Sequence, residues 1–144
     1  MSPAQDDNFI GWTRDLELGL PNIDDEHRLW IGLVADFCNA VKNDRAQEVI
    51  YAALVEALRY TETHLRHEEE FMEEHGYPYL DDHKIQHDLA KEEMHKFTTG
   101  YYSEEYIIKY FSDFLPNWLQ FHINTSDRKM AEWVLAQAKQ GESK

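Results

Sequence analysis

At 144 residues the chain is long enough for one domain with a proper core and too short for two. Its apolar fraction of 42% and aromatic fraction of 13% suit a globular protein rather than a disordered or fibrous one. Twenty-eight acids against fourteen Lys and Arg leave a formal charge of −14, which repels phosphate backbones and anionic lipid and argues against nucleic acid and membrane surfaces as partners.

The start of the chain, MSPAQDDNFIGW, has no basic head and no apolar run, so no secretion signal is expected. No stretch is long and apolar enough to span a bilayer. The single cysteine, Cys38, rules out an internal disulfide framework, and we read it as a small apolar helix residue. Together these lead us to expect a cytoplasmic protein.

Residues 1–20 read as a polar arm ending in an apolar segment with Phe9, Ile10, Trp12, Leu18 and Leu20. No helical or strand period runs through it, so it is expected to lie extended over the domain. Pro21 and Asn22 open a first helix, with Asp24, Asp25 and Glu26 in its first turn. Its apolar stripe is Ile23, His27, Trp30, Val34, Phe37 and Val41, stepping by four and three. Asn43 and Asp44 break the pattern and are expected to cap a second helix, with Gln47 at the reciprocal position. That helix carries Ile50, Leu54, Ala57, Thr61, His64, Glu68 and Phe71 on one face and stops near Gly76.

A third helix follows Pro78 with Leu80, His83, His87, Ala90, Met94 and Phe97, and stops near Gly100. Ser103 caps a fourth, whose stripe is Ile107, Phe111, Leu115, Trp118, His122, Ser126, Met130 and Trp133. Pro116 falls inside it and is expected to kink or restart the helix. Gly141 opens a polar tail, residues 141–144. Four helices with short connections and no strand signal predict an all-α, antiparallel up-down-up-down four-helix bundle over residues 21–140.

The chemistry concentrates between Thr63 and Ala90. His64 and Glu68, and then His83 and His87, are spaced four apart, so each pair projects from one face of its helix. Each pair alone is weak, since such spacing is common on solvated faces, and a lone core histidine such as His27 is usually just hydrogen-bonded. All four helices, however, carry histidine on the face their apolar residues define. Burying that many imidazoles without partners would be costly. Imidazole and carboxylate without thiolate suit iron, zinc, copper or manganese, and the number of ligands points to more than one ion. His67, His75 and His95 stand apart from this set. We read them as a rim residue, a helix C-terminal residue and a solvent-facing residue.

The segments IDDEH (Ile23 to His27), HLRHEE (His64 to Glu69), HKIQH (His83 to His87) and WLQFHINTSD (Trp118 to Asp127), with Met72 and Tyr77-Pro78, resemble the hemerythrin family in its single-domain bacterial form. The resemblance covers almost the whole chain and implies two non-heme iron ions. In it His83, His87 and His122 bind one iron, and His27 and His64 bind the other, which keeps an open position. Glu68 and Asp127 bridge both, with an oxo or hydroxo group between. His122 and Asp127 are five apart, which an ideal helix turns by about 140°. Asp127 must therefore reach round, or a π-type distortion must bring it inward.

The resemblance further implies reversible dioxygen binding at the open iron, with nitric oxide or azide-like anions able to take the same place. With neutral imidazoles and two carboxylates the net charge stays near about +1 with and without oxygen, so no charge need enter a dry site. Trp30, Leu65, Trp118, Leu119 and Ile123 are expected to wall the open position. Trp30 stands where the family usually has Leu and Leu65 where Phe is common, so the larger indole is expected to fill the volume that Leu65 leaves. The leading expectation is a non-enzymatic protein for oxygen storage, delivery or buffering, with a separate oxygen-using protein as recipient. The alternatives are a sensor of oxygen, redox state or nitric oxide, and a di-iron peroxidase or nitric-oxide-reducing enzyme.

Overall fold

The computed structural model describes residues 11–142; Phe9 and Ile10 of the arm and the last two residues of the tail lie outside the described residues. Its regular structure is helical throughout: α1 (Pro21–Lys42), α2 (Gln47–Glu74), α3 (Leu80–His95), α4 (Glu104–His122) and α5 (Arg128–Glu142). A π-helical turn, Ile123–Asp127, joins α4 to α5 without leaving helical backbone angles, so the two form one long rod. Four rods pack antiparallel as a bundle, with α1 against α2 and α4, and α2 also against α3 and α4.

The helix ends follow from local chemistry. Pro21 occupies the first turn of α1, where its missing N–H is no loss. Buried Asp24 accepts hydrogen bonds from the backbone N–H of Leu18 (2.9 Å) and Gly19 (3.1 Å), pinning the incoming arm to the helix start. The arm buries Leu16, Leu18 and Leu20, while Arg128 donates to the Asp15 carbonyl at 2.6 Å.

The cap expected from Asn43 and Asp44 does not form: α2 starts at Gln47 with Ala46 before it and no side-chain cap. Asp44 instead closes α1. It takes a left-handed conformation (φ 52°), with Asp44 N–H on the Val41 carbonyl and Arg45 N–H on that of Ala40. Gln47 reaches across to Glu104 at 3.2 Å. Gly76 (φ 65°) ends α2 by the same device, with Tyr77 N–H on the Met72 carbonyl. The expected Ser103 cap is present, its hydroxyl accepting from Tyr106 N–H at 3.1 Å.

Pro116 does not restart the fourth helix, because α4 runs unbroken from Glu104 to His122. The departure from α geometry comes later, at Ile123–Asp127, where Arg128 N–H reaches back to the Ile123 carbonyl. Thr125 promotes it by donating its hydroxyl to the Phe121 carbonyl at 2.7 Å, competing with the backbone ladder. Gly141, read from the sequence as the start of a tail, lies within α5.

The bundle has two unlike ends. At one, Phe37, Ile50, Leu54, Met94, Phe97, Ile107 and Phe111 make an apolar core. At the other, the start of α1, the end of α2, the start of α3 and the π turn bring polar side chains inward. Those residues are the candidate site.

Candidate metal centre

All seven residues singled out by the sequence meet inside the polar end of the bundle. His27, His64, Glu68, His87 and Asp127 have no exposed surface, and His83 and His122 almost none. Their donor atoms fall into two groups, Glu68, His83, His87, His122 and Asp127 in one and His27, His64, Glu68 and Asp127 in the other. Within each group all lie within 4.8 Å of one another.

In the first group, His122 Nε2 is 3.2 Å from His83 Nε2 and 3.0 Å from His87 Nε2. Glu68 Oε1 is 3.0 Å from both His83 and His87, and Asp127 Oδ1 is 3.0 Å from His83 and 3.1 Å from His122. In the second group the other carboxylate oxygens face the other histidines. Glu68 Oε2 lies 3.3 Å from His64 and 3.6 Å from His27, and Asp127 Oδ2 lies 3.1 Å from His27. Each carboxylate thus divides its two oxygens between the groups. Asp127 reaches this position through the π turn, which removes the angular offset of an ideal helix.

This packing makes poor hydrogen bonding. Among the described residues, the buried side-chain polar atoms without a hydrogen-bond partner are His27 Nδ1 and Nε2, His64 Nε2, Glu68 Oε2 and both Asp127 oxygens. All belong to the cluster. An orphaned buried polar atom costs about 1–3 kcal/mol, so their concentration at one spot argues for something that accepts lone pairs. Ions with metal–nitrogen bonds of about 2.1 Å place neighbouring donors at right angles about 3.0 Å apart, which matches the separations in the first group. The donor set fits a metal centre.

The two buried carboxylates favour the protonated form of the histidines around them. Burial alone would depress His27, His83 and His122, but the Asp127 and Glu68 carboxylates outweigh it and raise them to about 9, 10 and 9. His64 is raised in the same way, against its burial, by Glu26 and Glu68. Burial would raise Glu68, yet the surrounding histidines hold it well below its ordinary value. Asp127 is also lowered: burial and the nearby Glu68 charge oppose this, and His122 and His27 prevail.

Two acids that the sequence pattern does not single out surround the cluster. Glu26 holds His64 Nδ1 at 2.9 Å with one oxygen and His67 Nδ1 at 3.1 Å with the other. Glu69 holds His87 Nδ1 at 2.8 Å. Both are sequence neighbours of cluster residues, off the inward stripe, so periodicity gives no reason to pick them. His67 is half-buried and bonded to Glu26 rather than simply at the rim. His75 caps α2 and lies 2.8 Å from the Phe71 carbonyl, as expected of a helix C-terminal residue. His95 is exposed beside Glu62.

Trp30, Leu65, Leu119 and Ile123 are fully buried, with Leu65 and Ile123 next in sequence to His64 and His122. Trp118 is half-buried and stacks on the His122 ring at 4.5 Å and 10°. The Trp30 ring centroid lies 4.9 Å from that of His64 and 6.1 Å from that of Trp118. Its indole N–H donates to the Thr61 hydroxyl at 2.8 Å, which itself donates to the Ala57 carbonyl at 2.6 Å. Cys38 is half-buried well along α1, its thiol pushed up to about 11 by burial and by Asp113.

A four-helix bundle with histidines and carboxylates converging from every rod defines a class, the helical-bundle metal-binding proteins. The sequence comparisons narrow it. Residues 18–134 match the hemerythrin HHE cation binding domain. The chain is 29% identical over 132 residues to a bacteriohemerythrin of Stenotrophomonas maltophilia, covering 92% of this chain and 86% of that protein. It is 30% identical over 123 residues to one of Clostridium acetobutylicum, covering 82% and 95%. A bacteriohemerythrin of Ralstonia nicotianae is 28% identical over 129 residues, covering 87% and 88%. No solved structure gives a significant match. The chain belongs to the hemerythrin family, whose domain binds non-heme iron. No helix among the described residues is long and apolar enough to cross a membrane.

Proposed function

We propose that the cluster holds two non-heme iron ions and that the protein binds dioxygen reversibly, for storage, delivery or buffering, without turning over a substrate. The observation that carries this is the division of the Glu68 and Asp127 oxygens between a three-histidine and a two-histidine group. In this reading His83, His87 and His122 would hold one ion and His27 and His64 the other, with Glu68 and Asp127 offering an oxygen to each. Residues 21–140 are the iron-binding unit, and residues 11–20 an arm laid over it. Bound ferrous iron would supply the electrons for oxygen binding, and the two-histidine position offers the fewer protein donors.

The chain's own residues keep that chemistry reversible. Five neutral imidazoles and two carboxylates would leave a loaded pair of ions with only a small net charge, so a buried site need not take in a compensating ion. Trp30, Leu65, Leu119 and Ile123 exclude water and the protons that would carry reduced oxygen off as hydrogen peroxide, and Trp118 closes the wall over His122. The Thr61 hydroxyl fixes the Trp30 indole in place.

Anaerobic loading with ferrous iron, followed by air and then vacuum, tests the reading by absorption spectroscopy. A visible band that forms in air and disappears under vacuum over repeated cycles is the expected result. Immediate, irreversible conversion to the diferric state with peroxide release would replace carriage with a redox function.

A further inference from the structure

A histidine that binds a metal through Nε2 must keep that lone pair free and its ring fixed. Whichever group holds Nδ1 therefore decides both tautomer and orientation. A carboxylate can only accept, so a histidine bonded to one through Nδ1 carries its proton there and leaves Nε2 for the metal. Two cluster histidines have such a partner. His64 Nδ1 is held by Glu26 Oε1 at 2.9 Å, and His87 Nδ1 by Glu69 Oε2 at 2.8 Å.

The two partners are distributed one to each donor group, since His64 belongs to the four-donor group and His87 to the five-donor group. Glu26 is itself secured, because its second oxygen is bonded to His67 Nδ1 at 3.1 Å. The result is a chain from half-exposed His67, through Glu26 in α1, to fully buried His64 in α2. It ties the relative placement of those two helices to the direction of one imidazole.

We infer that Glu26 and Glu69 are positioning residues, each setting the affinity of a different one of the two ion positions, with His67 holding Glu26 in its working orientation. The inference rests on the two-ion reading above. Its consequence is selectivity. Losing Glu26 weakens the position that contains His64 and spares the other, and losing Glu69 does the reverse.

Cobalt(II) titration of the metal-free protein against a chromophoric chelator reads both positions at once, without oxygen chemistry. The wild type should take two equivalents. Glu26→Ala should weaken one of them about 10- to 100-fold and leave the other within twofold; Glu69→Ala should weaken the other equivalent. Glu26→Gln, which keeps an amide oxygen to accept from His64, should recover most of the loss. His67→Ala should cause a smaller loss at the same equivalent as Glu26→Ala. Nitrogen-15 spectra of the zinc-loaded protein should show His64 protonated at Nδ1 in the wild type and in Glu26→Gln.

Unchanged affinities in Glu26→Ala, weakening of the same equivalent by both alanine variants, or no recovery in Glu26→Gln would each overturn the inference. Should an alanine variant fail to fold, His67→Ala decides for Glu26: no selective loss there rejects it. A wild type that binds fewer than two ions would remove the two-ion reading and this inference with it. Two ions bound with non-selective variants would remove only the inference.

Discussion

The two ends of the bundle are built from the same helices and fill their interiors in opposite ways. At the end defined by Phe37, Leu54, Phe97 and Phe111, buried surface is apolar and aromatic rings pack on one another, Phe97 edge-on to Phe111 at 5.3 Å and Tyr110 stacked on Phe114 at 5.5 Å. At the other end, five imidazoles and two carboxylates share a space with too few hydrogen bonds to satisfy them. The first end holds the fold whatever is bound. The second is frustrated until positive charge arrives, which explains how a stable scaffold can carry a site that its own packing does not favour.

The sharpest way to separate the ends is a pair of truncations of similar size. Phe111→Ala and Trp30→Ala should each cost about 3–5 kcal/mol in denaturant unfolding. Only Trp30→Ala should also speed autoxidation of the iron-loaded protein, because it opens the wall beside His64. Equal autoxidation rates in wild type and Trp30→Ala would dissolve the functional distinction between the ends.

Loading comes next in size. With ferrous iron at a thousandfold excess over its Kd, stability should rise by about 4 kcal/mol per site. Hydrogen exchange should slow at the start of α1, the end of α2 and the π turn more than around Leu54 and Phe111. Uniform slowing would mean that the frustration is not local.

A third measurement is the effect of pH on the metal-free protein. His27, His83 and His122 are raised from 6.5 to about 9, 10 and 9, so their stabilisation is complete below about pH 6.5 and is lost as pH rises through 9–10. Glu68 and Asp127 are lowered from 4.5 and 3.8. Their contribution is present above those values and is lost only on falling through the lower folded ones. Stability should thus be greatest at about pH 5–6.5 and decline above pH 7, by about 1.4 kcal/mol per unit for each net proton released. Melting temperatures across pH 6–10 with chelator present check this. The iron-loaded protein should show no such decline, because metal has replaced those protons.

Much of this architecture is legible in spacing. The alternation of threes and fours sets the inward face of each helix, and on those faces His27, His64, Glu68, His83, His87 and His122 have to turn inward together. Asp127 is different: a regular helix turns it away, and only the resemblance to the family brings it in. Its angular mismatch with His122 leaves a long reach or a π distortion, and the chain takes the second. Asp44 ends α1 rather than capping α2, because a residue suited to starting a helix is equally suited to the left-handed turn that closes one. Pro116 sits in an unbroken helix because the penalty for an internal proline does not say whether surrounding contacts will hold the helix through it.

Sequence alone therefore determined the inward face of each regular helix, though not that of Asp127, since direction is fixed by a helical period that each segment carries within itself. Tertiary structure decided the rest: how Glu68 and Asp127 divide their oxygens, that Glu26 of α1 holds His64 and His67 of α2, and that Asp24 anchors the arm. Those are distances between segments that meet only in the folded bundle. They depend on how the rods are rotated and shifted against one another, and no local pattern encodes that.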